Sequence, residues 1–318
     1  MFNQSAVTEF LLLAFSDRRE LQILHVVIFL VTYVVALMGN LLVILAVAFD
    51  HCLHTPMYFF LMNLSILDLS SISVTVPKSI ANSLLNTRTI SYSGCVAQVF
   101  LFFFLTTNNF IVLTLMAYDR YVAICKPLYY KTIMNLRLCA QMMAGAWFFA
   151  LLYSVMHTGN TFWLPFCSSN VIDKFFCDVP QILSISCSDA GISELLLLTI
   201  SACLYFIDFL FIVVSYFHIF SAVFKIPSKH GRHKAYTTCL PHLTVISLFI
   251  STGIIAYVKP SSHPPAVLDL IVDVLYSVLP PVMNPVIYSM RNKEIKAAIR
   301  KLMAWKFFPQ TKLFSFWL

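Results

Sequence analysis

The sequence predicts an all-α membrane protein: a seven-transmembrane helix bundle with a short amphipathic cytoplasmic helix. Three observations predict it. The 318 residues are 59% hydrophobic and only 11% charged, too few charges to cover a soluble surface of that size. The apolar residues come in long runs broken by short polar stretches, the distribution of several membrane spans and not of one oily core. The basic residues behind the net charge of +7 fall on particular loops, which a membrane explains better than nucleic acid does.

Seven runs are each long enough to cross about 30 Å of hydrocarbon at about 1.5 Å per residue. They are Ile23–Phe49, Pro56–Leu84, Gln98–Cys125, Leu138–Met156, Glu194–Phe224, Ala235–Val258 and Val267–Tyr288. The second holds Asp68 and Lys78 and is expected to be the weakest by hydropathy; Lys78 lies near the outer end, where its ammonium can snorkel. Placing the N-terminus outside puts most basic residues inside: Lys126, Lys131 and Arg137; Lys225, Lys229, Arg232 and Lys234; and the run from Arg291 to Lys312. Arg18, Arg19, Arg88, Lys174 and Lys259 remain outside, the asymmetry expected of an N-out, C-in chain.

The expected organisation is therefore an extracellular N-terminus (1–22), the bundle (23–288) and a cytoplasmic tail (289–318). Residues 1–20 lack the basic start of a cleavable signal, so the first span is expected to direct insertion. Asn3 opens an Asn-Gln-Ser sequon on the outside, where glycosylation can reach it. In the tail, Ile295, Ala298, Ile299, Leu302 and Met303 recur at helical spacing opposite Lys293, Lys296, Arg300 and Lys301, the pattern of a helix lying on the anionic inner leaflet. No cysteine follows Cys239, which excludes a palmitoyl anchor there.

Of nine cysteines, Cys95, Cys167, Cys177 and Cys187 fall on the outside, where an oxidising medium favours disulfides; four allow three pairings. Cys52, Cys125, Cys139, Cys203 and Cys239 lie in spans or at inner ends and are expected reduced, without zinc spacing.

The stretch Met116-Ala117-Tyr118-Asp119-Arg120-Tyr121-Val122-Ala123-Ile124-Cys125 closes the third span at the cytoplasmic face. An adjacent acid and base here can pair while the bundle is closed, and opening frees Arg120 for a partner protein. The plain alternative is an ion pair that marks a helix end. This string resembles that of odorant receptors, within the rhodopsin-like G-protein-coupled receptors. Other segments agree in order: Gly39-Asn40; Leu53 to Leu61, reading Leu-His-Thr-Pro-Met-Tyr-Phe-Phe-Leu; Asp68; Ser215-Tyr216; Lys234 to Cys239, reading Lys-Ala-Tyr-Thr-Thr-Cys; and Pro280 to Asn292 around Asn284-Pro285 and Tyr288. Val76 to Leu84 and Cys239 to Leu243 are similar to family 14 of the class II odorant receptors.

The resemblance implies a receptor for small volatile molecules, partnered by the bilayer and a heterotrimeric stimulatory G protein of olfactory type, with a rise in cyclic AMP. It implies coupling and activation roles for Asp119, Arg120, Tyr121, Tyr216, Asn284, Pro285 and Tyr288, and the disulfides Cys95–Cys177 and Cys167–Cys187. Pro285 also has a physical reading: it removes a backbone donor and loosens its helix. Asn40, Asp68 and Asn109 can form a polar core cluster with Asn284, and intramembrane acids are functional by default. Related receptors can hold sodium there. The family pattern usually places Glu at the position of Asn109, so a plain hydrogen-bonded cluster is expected and no metal site is assigned.

If Cys95 marks the outer end of the third span, Phe102, Phe103, Thr106 and Thr107 lie two to three turns below it. Ser201 and Tyr205, Ile254 and Tyr257, and Ser277 lie at comparable depth in the fifth, sixth and seventh spans. This wall is mostly apolar with a few hydroxyls and suits a small, neutral, oily ligand held by one or two hydrogen bonds; ordinary helix packing is the alternative for each. A transporter or channel is the rival class. The sequence has no internal repeat and no polar pore stripe. It shows no nucleophile–base set, so no enzyme is expected. It has no lysine within the seventh span to carry retinal, and no cofactor is implied.

Overall fold

The computed structural model describes residues 7–12, 18–166, 170–186, 192–258 and 267–304. Asn3, Cys167, Cys187 and Lys259 lie outside the described residues. Seven long helices cross the molecule: α1 (Arg19–Phe49), α2 (Pro56–Leu85), α3 (Tyr92–Cys125), α5 (Leu136–Trp163), α7 (Ile192–Phe224), α8 (Lys229–Val258) and α9 (Val267–Arg291). Each contains a window apolar enough to span a bilayer, and the least apolar is that of α9, not of α2 as expected, because Asp68 and Lys78 are offset by the apolar residues around them. Between them lie the short α4 (Tyr130–Ile133) and α6 (Val179–Ser184), and α10 (Lys293–Ala304) follows the last span.

Several helices run past the apolar segment that signals them. Helix α3 begins at Tyr92, where Ser91 Oγ accepts from Gly94 N–H at 3.1 Å and satisfies a first-turn donor. Helix α5 begins at Leu136, with Asn135 Oδ1 accepting from Leu138 N–H at 2.9 Å, and runs to Trp163. At the far end of α2, Asn86 takes a left-handed φ of 51° and closes the helix, a conformation its short polar side chain tolerates.

Helix α3 is the hub and packs against α2, α5, α7 and α8; α1 packs on α2, α9 and α10. The cytoplasmic half is filled by Leu64, Leu113, Met116, Ile219 and Tyr288. Large apolar side chains on the outer faces, such as Val31, Phe148 and Phe217, are exposed in the protein alone and meet lipid tails in the membrane. Ile295, Ala298 and Ile299 of α10 are buried against the same cytoplasmic cluster, so much of its apolar stripe faces the bundle. Lys301 Nζ donates to Asp50 Oδ2 at 2.9 Å and holds that carboxyl below the ordinary range.

One element was not foreseen. A three-stranded sheet caps the outer end: β1 (Glu9–Leu12) lies between β2 (Thr89–Ser91), antiparallel, and β3 (Val171–Ile172), parallel. Alternation along β1 buries Phe10 and Leu12, which pack with Ile90, Val99, Ile172 and Cys177.

Candidate functional site

The long outer loop is fixed over the bundle at three points. Cys95 of α3 is disulfide-bonded to Cys177. Gln98, one turn into the membrane, accepts from Cys177 N–H at 2.8 Å and donates to Val74 O at 2.9 Å, tying loop, α3 and α2 together. Lys174 Nζ lies 2.6 Å from Asp178 Oδ2 and 3.0 Å from Asp273 Oδ1, joining the loop to α9. Burial pulls the Lys174 ammonium down, but the two carboxylates outweigh it and its pKa ends above that of an ordinary lysine. Phe166 and Ser186 pair as an isolated bridge in the same loop.

Beneath this cover, Phe176 meets Phe102 with ring centroids 6.0 Å apart, and Phe102 meets Tyr276 at 5.8 Å. Under the Phe102–Tyr276 pair is a cavity of about 40 Å³ between α2, α3, α8 and α9. Its wall combines Phe102, Leu105, Phe249 and Tyr276 with Ser71, Thr75, Thr106, Asn109 and Ser277, and Asp68 forms its polar end. Asp68 Oδ2 accepts from Asn284 Nδ2 at 2.8 Å.

The lower bundle shows why Asn40 sits where it does. Pro285 has no N–H, so the Pro281 carbonyl loses its helical donor. Asn40 Nδ2 supplies that donor at 2.9 Å, and also donates to Ala36 O at 2.9 Å. The proline break in α9 is therefore bridged from α1.

At the cytoplasmic end, Arg120 Nε stands 3.8 Å from Asp119 Oδ2, a loose ion pair, while Tyr130 Oη donates to Asp119 Oδ1 at 2.8 Å. Burial, and then the Asp119 charge, raise the Tyr130 phenol above its ordinary range, so it remains a donor. Tyr216 Oη and His242 Nδ1 are 2.7 Å apart and buried, linking α7 to α8. Tyr288 is buried with its hydroxyl unpartnered. The Tyr121 ring lies 5.9 Å from that of His218.

Comparison with known proteins decides the family. The sequence model described as "Olfactory receptor" matches residues 29–306. The chain belongs to the olfactory receptor family. It is 51% identical to human "Olfactory receptor 14A16" over 96% of this chain and 99% of that one, and 50% identical to human "Olfactory receptor 14C36" over 98% and 99%. Among solved structures it is similar to squid rhodopsin, with a TM-score of 0.70 at 17% identity over 91% of this chain and 87% of that chain, a likeness of fold. The protein is an odorant-sensing G-protein-coupled receptor, a multi-pass plasma-membrane protein and not an enzyme.

The receptor divides the expected ligand wall in two. Phe102, Thr106 and Ser277 line the cavity. Phe103, Thr107, Ser201 and Tyr205 gather instead between α3, α5 and α7. There Thr107 and Tyr205 hydroxyls are 3.3 Å apart, and Ser201 Oγ meets Tyr153 Oη at 2.8 Å and His157 Nε2 at 2.9 Å. Phe103 packs on the His157 ring at 4.8 Å. Ile254 is 55% exposed and is not among the residues lining the cavity, and the Tyr257 side chain lies outside the described ones. Sequence reasoning passed over Thr75 and Tyr276 of the cavity, and over His157 and His242. Both histidines carry a signal: a polar ionisable ring inside a span is rarely idle.

Proposed function

We propose that the receptor binds small, mostly apolar volatile ligands beneath the long loop and activates a stimulatory, olfactory-type G protein, raising cyclic AMP. The observation that carries this reading is the closed cytoplasmic end. Arg120 is only loosely held by Asp119, and Tyr216–His242 clamps α7 to α8 beside it. Ligand parting the Phe102–Tyr276 contact shifts α9 and α8. That shift breaks the clamp and presents Arg120, Tyr121 and Tyr216 to the G protein, with the proline-loosened Asn284–Tyr288 segment as the moving part. The ligand wall in this reading is Phe102, Thr106 and Ser277, with Phe103, Thr107, Ser201, Tyr205, Ile254 and Tyr257 as its wider surround. Asn3 carries the glycan.

A cyclic-AMP reporter in cells given a broad volatile panel tests it. Active volatiles are expected to raise the signal, and Arg120→Ala to bring the response to baseline at unchanged surface level. An intact response in Arg120→Ala sinks the mechanism, and ligand-driven current or uptake without G protein moves the protein to the transporter or channel class. His242→Leu removes one buried hydrogen bond from the closed state, worth about 0.5–1.5 kcal/mol. Ligand-free cyclic AMP is then expected to rise about two- to tenfold, and an unchanged basal level would show that the clamp does not hold the receptor shut.

A further inference from the structure

Helix α9 ends at Arg291 and α10 starts at Lys293, so Asn292 is the joint between them. Its N–H closes α9 by donating to Tyr288 O at 3.1 Å, and its carbonyl opens α10 by accepting from Lys296 N–H at 3.1 Å. Its side chain is equally committed. Asn292 Oδ1 accepts from Glu294 N–H at 2.9 Å and from Ile295 N–H at 3.2 Å, which satisfies first-turn donors of α10. Those two donors fix the amide's orientation and aim Nδ2 at Tyr58 of α2, whose Oη accepts from it at 2.9 Å. The Tyr58 phenol has one proton to give, and the Glu294 carboxylate takes it. Asn292 Oδ1 also stands 3.2 Å from the phenol oxygen, but it is neutral and already serves the backbone, and a charged acceptor wins.

Tyr58 is buried in the same cytoplasmic cluster as Tyr288 and Ile295. Higher on the same helix α2, Asp68 accepts from Asn284 at 2.8 Å. The proline-loosened stretch Asn284–Tyr288 is thus pinned to α2 on both sides, by Asp68 above and by Tyr58, through Asn292, below. Helix α10 is a firm anchor for the lower pin, because Lys301 at its other end holds Asp50, just past α1.

We propose that Tyr58 and Glu294 are positioning residues for G-protein activation: they hold the inner end of α9 in the closed receptor and release it before Asn284–Tyr288 can move. The proposal rests on the reading of that segment as the moving part. It is a restraint separate from Tyr216–His242, which joins α7 to α8.

The test uses the full-length receptor in cells with surface labelling. It reads dissociation of the stimulatory, olfactory-type G protein per surface receptor, first without ligand and then with the volatile panel. Tyr58→Phe keeps the ring and removes only the hydroxyl. Ligand-free dissociation is expected to rise about three- to tenfold, the weight of one partly solvated hydrogen bond lost from the closed state. Glu294 is exposed, so Glu294→Ala asks the same question without touching the packed interior, and the same rise is expected. Glu294→Gln keeps a carbonyl acceptor for the phenol and is expected to stay near wild type. Tyr58→Phe combined with Glu294→Ala is expected to rise no further than either alone, because both remove one bond. A contact that serves only folding lowers surface level and leaves output per receptor unmoved. Unchanged or lower ligand-free output per surface receptor in Tyr58→Phe and Glu294→Ala therefore overturns the proposal, as does full addition of the two effects. If no volatile activates the wild type while Tyr58→Phe raises ligand-free dissociation, the odorant reading falls and the proposal stands. A wild type that responds to volatiles beside unmoved variants gives the reverse.

Discussion

Replacing Lys174 with methionine is expected to remove most of the receptor from the cell surface and to lower its thermal stability. Asp178 and Asp273 are both buried beside the lysine, and methionine removes the cation that stands between their two charges. Breaking a buried ion pair from one side costs about 3–5 kcal/mol, a large share of the roughly 5–15 kcal/mol that keeps a domain folded. The combined variant Lys174→Met, Asp178→Asn, Asp273→Asn removes charge from both sides and is expected to recover much of the loss. Surface labelling and thermal unfolding in detergent separate the two. Wild-type behaviour of Lys174→Met alone would show that the triad contributes nothing. The raised lysine pKa means its contribution is complete below the ordinary lysine value and fades only as pH rises through the higher folded value. Stability near neutral pH is therefore not expected to vary through this group.

Cys177→Ser is expected to be of similar size. The bond joins residues 82 apart in sequence, and the chain-entropy account gives about 4–5 kcal/mol for a loop of that length. The same residue places Phe176 on Phe102 and hands its N–H to Gln98. Cys95→Ser, Cys177→Ser and the double variant are expected to fall to the same low surface level, because each removes the same link. A double variant clearly worse than either single one would show separate roles for the two thiols.

How far the sequence reached differs by region. The seven spans were legible because hydropathy is a sum over many residues, and errors at a few positions leave the sum intact. The helix ends were less so: Tyr92 and Trp163 continue helices beyond the apolar window, held by caps such as Ser91 and Asn135 or by packing. The outer sheet was illegible. Its strands are two to four residues long, and their partners lie far along the chain, Phe10 against Ile90 and Leu11 against Val171. At the candidate site, depth along a span can be read from sequence, but rotation about the helix axis cannot without knowing the neighbours. Phe102 and Thr106 therefore turned toward α9 while Phe103 and Thr107 turned toward α5 and α7. Ile254 is exposed in the protein alone and is not among the residues lining the cavity. Of the expected polar cluster, Asn284 bonds to Asp68, whereas Asn40 donates to the Ala36 and Pro281 carbonyls and Asn109 Oδ1 has no partner among the described residues.

The position of Glu9–Leu12 as the middle strand has a consequence for how the receptor is made. It leaves the ribosome ahead of both neighbours, so neither exists when it emerges. Thr89–Ser91 follows only after two helices have been inserted, and Val171–Ile172 only after four. Until then Phe10 and Leu12 stand bare in the lumen, a ready mark for chaperones. Closure of this small sheet thus requires that Glu9–Leu12, Thr89–Ser91 and Val171–Ile172 have all been delivered to the same side of the membrane.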